Sequence, residues 1–157
     1  MSVVIIDGRV RVTFATSIGN VAAPTVAELN AGTALETFIT PDGLDIAVGT
    51  NKVDTSNLAS TFTTNRAGRK TPEISVTFHH DSPTDTPWNL LPYRTVGFLI
   101  VRRGVDRTTA WTIGDKVGVY PIEAGEGNET KPAPDSTWDF MVPLFVTADP
   151  NQRAVVA

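Results

Sequence analysis

The chain is predicted to be all-β: mainly strands with one short helix, folded as a β-sandwich or β-barrel. Three observations carry this. Residues 137–147 place Trp138, Phe140, Val142, Leu144 and Val146 on every second position, the period of a strand with one face in a core. Residues 96–101 are a nearly continuous apolar run bounded by Arg94, Arg102 and Arg103, as expected of a central strand buried on both faces. Thr and Val are abundant and Met and Lys scarce, a bias toward strands, while the 12 Gly and 11 Pro are scattered as turn formers rather than gathered in one tail.

The elements follow in order. Residues 9–14 alternate, with Val10, Val12 and Phe14 inward and Arg9, Arg11 and Thr13 outward. Thr25 and Glu28 then form a capping box, each side chain positioned to satisfy a free N–H at a helix start. Val26 and Leu29 supply a short apolar stripe and Gly32 a stop, so a helix of one or two turns is expected to pack on a sheet edge. Residues 34–48 read as two short strands around a turn at Pro41-Asp42-Gly43. Residues 49–72 lose the pattern and read as a long Thr- and Ser-rich loop, or as a polar hairpin with 58–64 as one arm; loops of such length are often functional. Residues 73–79 alternate again, with Ile74, Val76 and Phe78 on one side. The three prolines in 81–92 preclude a strand there, and Trp88, Leu90 and Leu91 are expected to plug a sheet edge from a loop or a helical turn. Trp111 and Ile113 are assigned to a short arm before a Gly114-Asp115 turn. Residues 117–122 form a strand that Pro121 places at an edge or bulge, 125–134 a loop, and 148–157 a tail.

The second face of the 137–147 strand carries Met141, Pro143 and Phe145 beyond the polar Thr137 and Asp139. A strand apolar on both sides needs cover on both sides. The missing cover is expected from another copy of the chain.

A length of 157 residues fits one domain with a real core. With no cysteine, disulfides, thiolate zinc sites and cysteine nucleophiles are excluded. A formal charge of -4 argues against gripping nucleic acid through a basic surface. No apolar run is long enough to span a bilayer. Val3-Val4-Ile5-Ile6 lacks a basic leader and meets Asp7, which is not a signal-peptide pattern.

No constellation nominates a catalytic, cofactor-binding or metal-ligating residue, and no enzyme activity or cofactor is expected. His79 and His80 are adjacent on a strand end and point to opposite faces, so they do not chelate one ion. Gly125-Glu126-Gly127 lacks the third glycine and following helix of a dinucleotide fingerprint. Asp42, Asp45, Asp54, Asp106 and Asp115 sit where turns are expected. Arg66, Arg69 and Lys70 are either a solvated loop face or a contact for a neighbour's phosphate or carboxylate.

The order of features resembles the major tail tube proteins of long-tailed, siphovirus-like bacteriophages. The resemblance rests on Pro24-Thr25-Val26-Ala27-Glu28-Leu29-Asn30-Ala31-Gly32-Thr33, Asp42-Gly43-Leu44, Val53-Asp54-Thr55-Ser56-Asn57-Leu58 and Ile74-Ser75-Val76-Thr77-Phe78. It continues in Trp88-Asn89-Leu90-Leu91, Val101-Arg102-Arg103-Gly104, Trp111 before Gly114-Asp115, and Val142-Pro143, and covers nearly the whole chain. It implies one tail-tube domain over 1–157, assembling as six-membered rings that stack into a hollow tube whose inner strands form a continuous barrel. Phage DNA would pass through without specific binding. Residues 1–8 and 148–157 become arms and 49–72 an inter-ring loop. Met141, Phe145, Leu58, Phe62, Arg66, Arg69 and Lys70 become subunit-interface candidates. The implied partners are further copies, the tape measure, terminator and distal tail proteins, and no membrane; the location is the virion tail, after synthesis in the host cytoplasm. Of two possible lumen faces, Arg9/Arg11 and Glu73/Ser75/Thr77, the second is favoured, because an arginine-rich wall would slow DNA. Six copies at -4 each would give a ring a charge of about -24, which repels DNA rather than trapping it.

Three other readings remain at this level, of which a small hydrolase with dispersed carboxylates nominates no residue set. A carbohydrate- or receptor-binding β-sandwich would expose Trp88, Trp111 or Trp138 as stacking platforms, although Trp138 falls on the core side of its strand. The tube of a related bacterial injection or secretion apparatus would share the ring architecture.

Overall fold

A computed structural model describes residues 1–157. In chain order it contains β1 (Val10–Ala15), α1 (Val26–Asn30), β2 (Thr33–Ala34), β3 (Ile39–Asp54), β4 (Asn65–His79), α2 (Thr86–Leu90), β5 (Val96–Arg103), β6 (Lys116–Ala124), β7 (Asn128–Glu129), β8 (Asp139–Val146) and β9 (Asn151–Val155). All nine strands join one antiparallel sheet of order β2-β1-β5-β6-β8-β4-β3, with β7 added to β8 and β9 to β6. The expected all-β class is the one observed, with a second helical turn, α2, carrying Trp88 and ending beside the buried Leu91.

The inward sets of the alternating strands meet in one core. It contains Val12 and Phe14 of β1, Leu99 and Val101 of β5, Tyr120 and Ile122 of β6, Phe140, Val142 and Leu144 of β8, and Ile74, Val76 and Phe78 of β4. Residues from both ends of the strand order share this core, so the sheet curls over it. Val10 and Val12 of β1 line the same groove as Ile39 and Leu44 of β3.

The opposite face is covered only in part. Over β1, β5 and β6, Ala15, Ile100, Val117 and Val119 pack with Leu29 of α1, Trp111, and Ala154 and Val156 of the C-terminal segment in a second core. This explains why Thr13, expected outward, is buried: it lies beneath the α1 end, and a Cβ on Gly32 would come within 2.4 Å of its methyl. The capping box forms as expected. The Glu28 N–H donates to Thr25 Oγ1 (3.3 Å), and the Thr25 and Gly19 N–H groups donate to the Glu28 carboxylate (3.0 and 2.7 Å). These backbone bonds, that from Thr25 foremost, hold the Glu28 carboxyl below its ordinary range.

Several sequence expectations are corrected. Pro41-Asp42-Gly43 does not separate two strands; it is an irregularity inside β3, where the register with β4 shifts between Ile39 and Leu44. Glycine is required there because a Cβ on Gly43 would lie 2.6 Å from the Thr77 carbonyl oxygen. Of the two readings of residues 49–72, the polar hairpin is the one observed and the long loop is not, although its arms differ from those expected. β3 and β4 pair through Asp54↔Asn65, leaving 55–64 as the tip, so 58–64 is the turn and not an arm. The 148–157 tail is not a free arm either: β9 pairs with β6, and Ala154 and Val156 are fully buried. Trp111 and Ile113 occupy no strand; Trp111 is buried in the second core and Ile113 is exposed. Pro121 lies within a flanked strand. It sits where β6 changes its partner from β9 to β8, and its carbonyl accepts from the Thr147 N–H, so the missing donor falls at a break in the ladder. Residues 1–6 carry no regular structure, and Met1, Val3, Val4, Ile5 and Ile6 are all exposed.

Candidate assembly surfaces

Beyond β6 the outer face has no cover. Cross-strand pairs point to the same side of a sheet. The pairs Thr77↔Met141, Ser75↔Pro143, Glu123↔Phe145 and Asp45↔Ser75 therefore put Glu73, Ser75 and Thr77 on one face with Met141, Pro143 and Phe145. Met141 is 36% and Phe145 63% exposed. Between β4 and β8 runs a groove of about 430 Å³ bounded by Asp45, Glu73, Pro143 and Phe145. The lumen and interface candidates thus share a surface, which is acidic on the β3/β4 side and apolar on β8. On the competing Arg9/Arg11 face Arg11 is held by the chain itself, donating to the Thr109 carbonyl (2.9 Å) with its guanidinium over Trp111, while Arg9 is exposed.

At the edge of the sheet, β3 runs for 16 residues and pairs only with β4. Its hairpin projects Leu58 and Phe62 into solvent at the tip. The tip is closed by the Thr55 N–H donating to the Thr64 carbonyl (2.8 Å) and by Ser56 and Asn57 turns. The Ser56 hydroxyl and then its N–H, both donating to Asp54, lower that carboxyl's pKa. The structure separates the basic cluster by role. Lys70 reaches Asp149 at 2.5 Å, an exposed pair worth about 1 kcal/mol at most. Arg66 and Arg69 remain on the exposed stem.

The far end of the β4–β8 ladder holds a cluster that sequence reasoning missed. His80 is only 2% exposed at its side chain. One ring nitrogen lies 2.7 Å from Asp85 and the other 3.1 Å from Glu129. Its ring stacks on Trp138 at 3.7 Å and tilts against Trp88 at 5.2 Å. His79 takes a separate partner, Asp139, at 2.6 Å. Trp138, expected in the core, is 64% exposed, because its strand begins only at Asp139; its indole N–H donates to Glu129 at 2.7 Å. The spacing of His80 and Asp85 was readable, but Glu129 lies 49 residues away and only the β7–β8 pairing delivers it. The three tryptophans do not line one platform, since Trp111 is buried in the second core. No three or more His, Cys, Asp or Glu side chains gather where they would hold a metal ion. No helix is long and apolar enough to cross a membrane.

The molecule is a curled antiparallel sheet with a long unpaired edge and an uncovered face. A family model described as phage tail tube protein matches residues 1–157, so the chain belongs to that family, whose members are non-enzymatic structural parts of the virion tail. A chain in the cryo-EM structure of the anti-feeding prophage (AFP) baseplate, symmetrised six-fold, is similar in fold, with a TM-score of 0.56 at 10% identity over 96% of each chain. No curated protein matches the chain.

Proposed function

We propose that this protein assembles into hexameric rings that stack into the tail tube of a long-tailed phage, a conduit through which DNA leaves without specific binding. The observation that carries the reading is the unpaired 16-residue edge of β3 beside an uncovered sheet face. An edge of that length is a template for pairing with another chain, and closing it into a ring removes the hazard. The wall of the passage is assigned to the β3/β4 half of the face, where Asp45 and Glu73 repel phosphate and Ser75 and Thr77 offer no cation. Met141 and Phe145 are assigned to the joint with a neighbouring subunit, each contributing roughly 1.5–3 kcal/mol if fully covered. Residues 1–8 are assigned to contacts within or between rings, and the tape measure, terminator and distal tail proteins to the ends and interior of the tube.

Electron microscopy of the purified chain tests this. Stacked rings with six-fold symmetry are expected, and Phe145→Asp is expected to leave the monomer folded while preventing assembly. A chain that stays monomeric at high concentration, with and without other tail components, would overturn it.

A further inference from the structure

We infer that His80 is a protonation-operated latch: as an imidazolium it ties residues 126–138 to the end of the β4–β8 ladder, and as a neutral imidazole it lets them go. The His80 side chain is buried, so water does not complete its bonding. Its Nδ1 lies 2.7 Å from Asp85 Oδ2, and its Nε2 lies 3.1 and 3.2 Å from the two carboxylate oxygens of Glu129. An ionised carboxylate only accepts, so each ring nitrogen has to donate, and only the imidazolium carries both N–H groups. A neutral ring donates once and turns a lone pair toward the other carboxylate. His79 is the contrast. One of its ring nitrogens meets Asp139 at 2.6 Å and its ring is half-buried, so a single N–H suffices.

The surroundings offer no substitute cation. Around His80 stand Asp85 from the turn before α2, Glu129 of β7, Trp88 of α2, and Trp138 and Phe140 at the head of β8. Asp81 contributes its N–H to Asp85, and Asp139 is taken by His79. The lysine and arginine ion pairs, Lys70–Asp149 and Arg102–Asp115, involve other carboxylates.

The two ties are unequal. The Asp85 side chain is 20% exposed and also accepts from the Asp81 N–H at 3.1 Å, whereas that of Glu129 is 48% exposed and bonds at the longer distance. On loss of one proton the Asp85 bond stays and Glu129 turns to water. Little else holds its segment. β7 is two residues long and pairs only with β8, and no residue of 126–138 belongs to either core. The Trp138 indole N–H is itself bonded to Glu129. A segment with few buried contacts opens at low cost. Because Asn128 pairs with Met141, opening also removes a polar flank from the exposed β8 face.

Hydrogen exchange followed by NMR on the full chain, dilute enough to stay monomeric, tests the latch. It reads the protection of the Thr130 amide, which donates to the Asp139 carbonyl, and of the Trp138 indole N–H. Corrected for intrinsic exchange, both are expected to fall about tenfold or more between about pH 5.5 and about pH 8, where imidazoles titrate. His79→Gln should keep this dependence. Glu129→Gln should abolish it with protection retained at both ends, because the amide donates to a neutral Nε2 while its oxygen accepts from Trp138. Protection that is flat in the parent, or that falls as much in Glu129→Gln, would overturn the latch; neither result bears on assembly, which a dilute monomer does not report.

Discussion

Arg102 has no access to solvent, and both terminal nitrogens of its guanidinium are partnered while its Nε has no hydrogen-bond partner. It donates to Asp115 at 2.9 Å and to the carbonyls of Thr109, Asp106 and Ala110 at 2.7, 3.1 and 3.2 Å, and it lies over Trp111. The one side chain thus fastens the 105–111 loop over the second core, the loop that also closes off Arg11. Removing the carboxylate would leave a buried cation unpaired. Asp115→Ala is expected to cost about 3 kcal/mol, read as a lower urea midpoint at unchanged slope. Burial pushes the Asp115 carboxyl up; the Thr112 N–H and hydroxyl and Arg102 outweigh this and hold it below its ordinary value. Asp115 and Glu28 are both lowered, so their stabilisation is fully present above the ordinary values of 3.8 and 4.5 and is lost as pH falls through the folded values. Melting temperature should therefore decline below about pH 4.5, and less steeply in Glu28→Gln, as thermal melts from pH 7 to pH 3 would register.

Among the elements, the hairpin and the two chain ends differ in what they do for the fold. The tip contributes nothing to either core, and Asp54↔Asn65 is a register that a two-residue turn can close. Replacing 55–64 with Asn-Gly should leave the melting temperature within a few degrees of the parent and abolish stacking in electron micrographs. The ends are unequal despite their similar appearance in sequence. Residues 1–6 are exposed, whereas Ala154 and Val156 complete a core that also holds Trp111 and Leu29. Deleting 1–6 should leave the circular dichroism melt unchanged, while deleting 148–157 should prevent cooperative folding.

For the whole molecule, both cores close within one chain, and what remains open is an edge and a half-covered face. A dilute monomer is therefore expected to fold, with a melting temperature that rises with protein concentration once assembly begins, because association stabilises the native state by mass action. Much of this was legible in the sequence. Alternation in 9–14, 73–79 and 140–146 set the core faces, since a period of two leaves a side chain little choice of side, and the Thr25/Glu28 box is local chemistry that no distant contact overrides. Apolar residues on both faces of β8 already signalled a surface needing cover. Other features depended on which strand lies beside which. Polar pairing between β3 and β4 turned an apparent loop into a ladder, because backbone hydrogen bonds leave no mark on side-chain pattern. The vacancy beside β6 turned a plain tail into a core strand. The β7–β8 pairing brought Glu129 to His80 and drew Trp138 to the surface. Local periodicity determined what each segment can bury; only the folded sheet decided what is left uncovered, because cover is a property of neighbours distant along the chain.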